Sequence, residues 1–265
     1  MLSASPEDLF SSVGHGILDA MPNSWDVLFS IGPFVGGYLI GWVAPKAHRW
    51  RRTRRTRKFW KPFSKRDQVS VIMGGDRSFP TFEASGLVGV GDVMALTELQ
   101  AIFDENRLGR LPITLATSPR EAHLETADLI LIGGPDMNWA TKAVASRLPA
   151  RFTFGNPDDR EIQIKDQKTG TVYRPSDPGE RDIHDVGLIK LVPNPFDTRR
   201  KVLLIAGAFG HATFAGVKLT GQKDFLKHPL IAAGSLFECL FSVDIVANEP
   251  LAPTIIDVVP FLTSD

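Results

Sequence analysis

Cysteine is almost absent from this sequence: Cys239 is the single one among 265 residues. One cysteine excludes an intrachain disulfide, and such sparse use is typical of proteins in a reducing compartment. The six histidines are dispersed without the close spacing of zinc ligands, so we predict no metal site. The chain has neither a G-x-S-x-G motif nor a phosphate-binding loop with its lysine. The sequence motifs therefore do not identify a reaction, and the cofactor is unknown.

Charge of one sign is missing from two parts of the chain. No lysine or arginine precedes Lys46, and no acidic residue lies between Lys46 and Arg66, where eleven basic residues are clustered. From Asp67 onwards there are 19 basic and 26 acidic residues. The zero net charge of the whole chain therefore combines a basic segment with a mildly acidic domain that follows it.

Nineteen uncharged residues, Val27–Pro45, directly precede the basic segment. This is about the length that crosses the hydrocarbon core of a bilayer, and tryptophans lie near both ends, as interfacial anchors do. The alternative is a buried helix of a globular core, which four glycines and Pro33 would weaken in water. We therefore predict a single transmembrane helix at residues 25–45.

The basic segment also orients the predicted span. Positive charges follow it and none precedes it, which places the carboxyl-terminal domain in the cytoplasm and the first residues outside. This predicts a single-pass protein of the inner (cytoplasmic) membrane. Clustered arginines next to a span favour contact with anionic lipid headgroups, and nucleic acid is the weaker alternative. The predicted membrane-surface residues are Arg51, Arg52, Arg54, Arg55 and Arg57.

Two further patterns concern the amino-terminal part of the chain. Apolar residues recur at helical spacing after Ser5-Pro6, which predicts an amphipathic helix. Two G-x-x-x-G pairs in the apolar run permit close helix contact, so other membrane subunits are candidate partners. The predicted organisation is a short extracytoplasmic amphipathic helix (1–24), a transmembrane helix (25–45), a basic juxtamembrane linker (46–66) and a cytoplasmic α/β domain (67–265).

Apolar runs alternate with helical patterns through most of residues 67–265. This alternation predicts an α/β fold, Rossmann-like, with right-handed crossovers and a largely parallel sheet with helices on both faces. Residues 161–175 alternate on both sides of a Lys-Thr-Gly turn and predict a β-hairpin beside the sheet. The predicted strands are Gln68–Asp76, Pro112–Thr117, Ala127–Gly134, Ala150–Gly155, Asp185–Phe196 and Lys201–Gly210, with Phe237–Pro250 and Thr254–Phe261 as edge strands.

Three glycine turns open the predicted helices: Gly89–Asp92, Gly133–Asp136 and Gly207–His211. Backbone N–H groups at a helix amino terminus bind phosphate or carboxylate groups, and ligands of open α/β sheets lie at the carboxyl ends of the strands. The alternative for each turn is tight strand-to-helix geometry with no ligand. We predict one shared crevice, with ligand-binding candidates Gly89, Gly91, Asp92, Gly133, Gly134, Asp136, Asn138, Thr141, Gly207, His211 and Thr213.

The sequence around the same three turns resembles that of a known type of domain. Within Val88–Thr220 the chain follows the pattern GVGD…LILIGGP..N..T…AG..GHAT. This pattern resembles an uncharacterised bacterial Rossmann-like α/β domain that follows a winged-helix module or a membrane segment in other proteins. The resemblance implies the fold and the grouping of the three turns, and it implies no reaction.

Three classes of function fit these features. The leading hypothesis is a membrane-anchored cytoplasmic ligand-binding or signalling domain that recognises an anionic or nucleotide-like small molecule. A nucleotide- or NAD-processing enzyme would use Asp92, Asp136 or His211 in the same crevice. A non-catalytic accessory subunit of a membrane complex would need neither the N–H groups nor the carboxylates. No catalytic residue is assigned.

Overall fold

The computed structural model describes residues 54–65, 68–75, 87–116, 122–155, 162–177 and 183–262. All of them belong to one unit, Arg52–Asp265. The strands are β1 (Val69–Gly74), β2 (Ile113–Ala116), β3 (Asp128–Ile132), β4 (Phe152–Phe154), β5 (Ile164–Asp166), β6 (Val172–Tyr173), β7 (Ile183–Asn194), β8 (Asp197–Gly207), β9 (Phe237–Val246), β10 (Glu249–Pro250) and β11 (Thr254–Pro260).

Seven α-helices accompany these strands in the described residues. They are α1 (54–60), α2 (Val90–Glu105), α3 (Ala122–Glu125), α4 (Trp139–Ala145), α5 (Gly210–Leu219), α6 (Lys223–Lys227) and α7 (Pro229–Ala233), and a 3₁₀ helix (Lys61–Phe63) follows α1. The longest, α2, crosses from β1 to β2, and α3 connects β2 to β3.

Half of the main sheet is parallel. The order β2–β1–β3–β8 joins four strands through parallel pairs. Parallel neighbours need a crossover connection, which the helical segments after β1 and β2 supply. Leu129–Ile132 of β3 are all buried, as expected for a strand that is covered on both faces. The carboxyl ends of β1, β3 and β8 therefore lie side by side at one edge.

The other half of the main sheet is antiparallel, which contradicts the predicted largely parallel sheet. β7 pairs with β8 and β9 in antiparallel fashion, and β9 pairs with β10 and β11 in the same way. Only Pro195 and Phe196 separate β7 from β8. A connection this short permits a hairpin and excludes a crossover to a parallel neighbour.

Two smaller predictions about strands are also corrected. β9 was expected at an edge, but it lies inside the sheet between β7 on one side and β10 and β11 on the other. β4 does not join the main sheet. It pairs with β5, and β5 pairs with β6, to form a separate antiparallel sheet of three strands that includes the predicted hairpin.

The predicted membrane segments lie outside the described residues: these are the amphipathic helix at 1–24 and the transmembrane helix at 25–45. In the part of the chain that the structure describes, no helix is long and apolar enough to cross a membrane. Even α2 has only 16 residues and carries acidic side chains, whereas a span needs about 20 apolar residues. The fold prediction that included a transmembrane helix, and the single-pass inner-membrane localisation that depended on it, are therefore corrected.

The core on one face of the sheet includes part of the basic segment. Trp60 and Phe63 are buried against α2, and the ring of Trp60 lies 5.4 Å from that of Phe103. Residues 54–63 therefore pack as part of the domain, while Arg54, Arg55 and Arg57 are exposed on α1. α5, α6 and α7 complete this face.

Different elements cover the two halves of the opposite face. α4 packs on the parallel half, where Val144 contacts a core that includes Leu131 and Leu204. The small sheet packs on the antiparallel half, where Phe152 and Ile164 join Leu188 of β7. Both faces of the main sheet are thus buried, with two separate coverings on this side.

α2 and α5 approach each other through glycine. A Cβ atom added to Gly91 would lie 2.3 Å from the carbonyl carbon and oxygen of Gly210, which are backbone atoms. The two helices contact along much of their length, so neither can move aside at this point without loss of packing.

We expect Gly91→Ala to lower the free energy of unfolding by roughly 1–3 kcal/mol or more, because the added methyl group forces two backbones apart. Urea denaturation of the full chain measures the change. Gly221→Ala is the matched control, because its Cβ would meet no atom closer than 3.5 Å. Equal effects of the two substitutions would contradict the close contact.

Candidate functional site

The three glycine turns contact one another at the carboxyl ends of β3 and β8. A Cβ on Gly133 would lie 3.0 Å from Oδ2 of Asp92, and one on Gly134 would lie 3.4 Å from the carbonyl oxygen of Gly207. Gly91 contacts Gly210, as described above. The residues of the three turns therefore line one region, which we call the crevice.

Internal geometry accounts for several of the glycines in the crevice. Gly133 has a φ of +99°, which residues with a side chain rarely adopt. A Cβ on Gly207 would lie 2.2 Å from the carbonyl oxygen of Phe209, so this turn closes too tightly for a side chain. These positions need glycine whether or not a ligand binds.

Asn138 also has an internal role. Its side-chain amide donates to the carbonyl oxygens of Ile72 (3.0 Å) and Ile132 (2.9 Å), which join the ends of β1 and β3. Its side-chain oxygen accepts from the N–H groups of Ala140 and Thr141 at the start of α4. The side chain is fully buried, so its hydrogen-bonding capacity is used within the protein.

The two threonines differ in what they contact. Thr141 donates to the carbonyl oxygen of Gly133 (3.0 Å) and is buried, so it fixes the turn after β3. The hydroxyl of Thr213 accepts from the N–H of Gly207 (2.9 Å) and hydrogen-bonds to the carboxyl group of Asp92. Thr213 thus joins the turn after β8 to an acidic side chain on α2.

Substitution of Asn138 tests its internal role. Asn138→Ala should lower the free energy of unfolding by roughly 2–4 kcal/mol, since two buried carbonyl groups and the start of α4 lose their partners. Asn138→Ser retains an oxygen that can cap the helix and loses the amide donors. Chemical denaturation of both variants separates the two contributions. A loss below about 0.5 kcal/mol in Asn138→Ala would contradict this assignment.

Sequence reasoning missed Asp185, a buried carboxylate at the same sheet edge. Asp185 accepts hydrogen bonds from the N–H groups of Phe209 (3.0 Å), Ala212 (2.7 Å) and Val186 (2.8 Å). A carboxylate of the protein therefore occupies the amino terminus of α5, where the sequence predicted N–H groups for a ligand. The available signal was an acidic residue at the start of an apolar run, but two of its three partners, Phe209 and Ala212, are 24 and 27 residues away.

Asp92 is the carboxylate of the crevice that lacks a compensating charge. It is 5% exposed. Burial and, to a lesser extent, the nearby charge of Asp136 raise its pKa to about 6, and the hydrogen bond from Thr213 opposes this rise only in part. Within the described ranges, Asp92 forms no ion pair with a basic side chain. Its environment therefore disfavours the ionised form, as is common at functional sites.

Two further candidates lie at the rim of the crevice. Asp136 is exposed as a residue, but partial burial of its carboxyl group raises the pKa of that group. A Cβ on Gly134 would lie 2.5 Å from its Oδ1 atom. His211 is partly exposed at the second position of α5. Both are available to a ligand, whereas the buried Asn138 and Thr141 are not.

The predicted membrane-surface arginines are not part of the crevice. Arg51 and Arg52 lie outside the described residues, and Arg54, Arg55 and Arg57 are on α1. This helix leads into Trp60, which contacts Phe103 near the carboxyl end of α2, whereas Asp92 is in the first turn of α2. Eleven helical residues separate the two points by about 16 Å. No group of three or more histidine, cysteine or acidic residues in the described ranges could hold a metal ion.

A comparison with protein-family models gives no match for this chain, and no curated protein sequence matches it significantly. The resemblance to a bacterial Rossmann-like domain therefore stays a prediction.

Burial raises the pKa of both Asp92 and Asp185 to about 6. Because their hydrogen-bond partners differ, the stability of variants at two pH values tests whether the two groups have different roles. A raised carboxyl pKa in the folded state adds stability below about pH 4 that is lost as the pH rises through about 6. Asp92→Asn should remove this loss and raise the free energy of unfolding at pH 8 by roughly 1–3 kcal/mol, with no gain at pH 4.

Asp185→Asn is the comparison variant. Its amide has one acceptor oxygen, whereas the two oxygens of the Asp185 carboxylate accept from three N–H groups. We expect this variant to be less stable than the wild type at both pH values. Urea denaturation at pH 4 and pH 8 measures both variants. A loss of stability in Asp92→Asn as large as that in Asp185→Asn would mean that Asp92 is a structural group.

Proposed function

We propose that this domain binds a small hydroxyl-bearing molecule of the nucleoside or nucleotide type in the crevice, with Asp92 as its main polar contact. The observation that carries the proposal is the buried carboxylate of Asp92, which has no cationic partner among the described residues. Ligand hydroxyl groups would donate further hydrogen bonds to this carboxylate, whose described side-chain donor is Thr213.

The stability cost of Asp92 supports a role in binding. Keeping an ionised carboxylate in this position at neutral pH opposes folding by an amount on the order of 1–3 kcal/mol. Groups that oppose folding in this way are concentrated at binding and catalytic sites, where a ligand stabilises them. Burial raises the pKa of Asp185 to about 6 as well, but three N–H groups of the fold donate to its carboxylate, whereas the described side-chain partner of Asp92 is the hydroxyl of Thr213.

The chemistry of the crevice favours hydroxyl groups over an isolated anion. Carboxylates accept hydrogen bonds from ribose hydroxyls, as acidic residues do in dinucleotide-binding folds. Two N–H groups at the amino terminus of α5 already donate to Asp185. These groups are therefore not available to a free phosphate. Asp136 at the rim is a second acceptor. A nucleoside part would therefore contribute more than a phosphate part.

Isothermal titration of the full chain with adenosine, AMP and NAD tests this proposal. At least one of the three should bind at pH 8, and Asp92→Asn should weaken it at least about tenfold. Binding should also weaken about tenfold at pH 5, because a carboxyl group with a pKa of about 6 is then mostly protonated. Asp104→Asn, at an exposed position of the same helix, is the matched control and should change nothing.

Two outcomes would contradict the proposal. One is that none of the three compounds binds at about 1 mM. The other is that Asp92→Asn and Asp104→Asn bind equally well.

A nucleotide-processing enzyme is the second candidate, because a carboxyl pKa near 6 suits a general acid or base at neutral pH. Analysis of the compounds recovered from the same titration separates the two candidates. Unchanged compounds support a binding domain, and a product that Asp92→Asn does not form supports an enzyme.

A further inference from the structure

A cavity of about 240 Å³ lies on the face of the main sheet that α4 and the small sheet cover. It occupies the gap between these two coverings, with β7 and β8 as its floor. Apart from Pro135, no residue of the turn after β3 lines it, so it is distinct from the crevice. Its apolar walls are Val144, Leu148, Phe154, Val192, Leu204 and Phe261.

One buried cation lines this cavity. Lys190 of β7 is 8% exposed, and its Nζ atom lies 2.9 Å from Oε2 of Glu238 on β9. The same Nζ atom donates to the carbonyl oxygen of Phe152. An ammonium group has three N–H donors, and these two contacts use two of them. The third N–H has no partner among the described residues, and Lys190 lines the cavity.

Glu238 supplies the opposite charge beside this lysine. Its carboxylate accepts from the N–H groups of Arg151 (2.8 Å) and Phe152 (3.1 Å) as well as from Lys190. Three donors therefore contact this carboxylate. Burial lowers the pKa of Lys190, and the adjacent charge of Glu238 opposes this change. The observed contacts of Nζ are those of a hydrogen-bond donor, whereas a nucleophilic lysine would have to be neutral.

The cavity lining sets the chemistry of an occupant. Among the lining residues that the structure describes there is no aspartate or glutamate, and the exposed Lys142 lies at the rim. We propose that the cavity binds a small apolar molecule that carries a carbonyl or carboxylate oxygen, which accepts the remaining N–H of Lys190. The apolar walls would enclose the rest of the molecule.

The volume limits the size of this molecule. The cavity holds the equivalent of roughly eight water molecules at about 30 Å³ each, which is below the usual range for drug-sized ligands. A single aromatic ring with one acidic or carbonyl substituent is of suitable size. Benzoate and benzamide are therefore appropriate probes, and benzylamine has the same shape with a cation in place of the oxygen.

Ligand-observed NMR titrations of the full chain at pH 7 test the proposal. Benzoate or benzamide should bind, and benzylamine should bind at least about tenfold more weakly, because its cation would meet Lys190. Binding of benzoate without benzamide identifies a carboxylate site, and the reverse identifies a carbonyl site. Benzylamine binding as tightly as both, or no binding of either oxygen compound at about 10 mM, would overturn the proposal.

Two variants assign the binding to this cavity. Ala145→Trp, at an exposed lining position on α4, should weaken binding at least about tenfold by filling the cavity. Ala101→Trp, at an exposed position on α2 that does not line it, should leave binding within about twofold. Equal binding by these two variants would overturn the assignment.

The contribution of the lysine needs a variant that still folds. Lys190→Met alone would leave Glu238 buried without its cation, so we combine it with Glu238→Gln. This double variant should lose the preference for benzoate or benzamide over benzylamine. A retained preference in the folded double variant would exclude Lys190 as the donor.

Discussion

The side chain of Asn138 links the ends of β1 and β3 to the start of α4, and the crevice depends on this link. Backbone contacts close the same region: Gly75 donates to the carbonyl oxygen of Met137, and a Cβ on Gly74 would lie 2.7 Å from that oxygen. The turn after β3 is therefore held on both sides. This rigidity positions the adjacent carboxyl groups, since the strands and helices around them cannot shift separately.

Two carboxylates are buried at this sheet edge, and they differ in the hydrogen bonds that the fold supplies to them. Asp185 satisfies N–H groups at the start of α5 and so completes the structure. Asp92 lies in a similar degree of burial, but its described polar neighbours are another carboxylate and one hydroxyl. The two groups are similarly buried, but the hydrogen bonds of the fold explain only Asp185. For this reason the proposed function is based on Asp92.

The antiparallel half of the sheet creates the second cavity. Lys190 and Glu238 are direct partners in the β7–β9 register, so their side chains lie on the same face and form an ion pair. The small sheet covers this face beside α4 and leaves a gap between the two. This pair depends on the antiparallel pairing of β7 with β9, which the predicted largely parallel sheet did not include.

Local patterns in the sequence were enough to identify the strands β1, β3, β7 and β8 and the three glycine turns, because buried runs and helix starts depend on neighbouring residues. The direction of β7 was also readable, since Pro195-Phe196 is too short for a crossover, yet the alternation of strands and helices favoured a parallel sheet. Only the tertiary structure revealed the partners of Asp185 and the pairing of Lys190 with Glu238. These contacts join residues from 24 to 48 positions apart. Whether such residues meet depends on strand order and register, which no local pattern encodes.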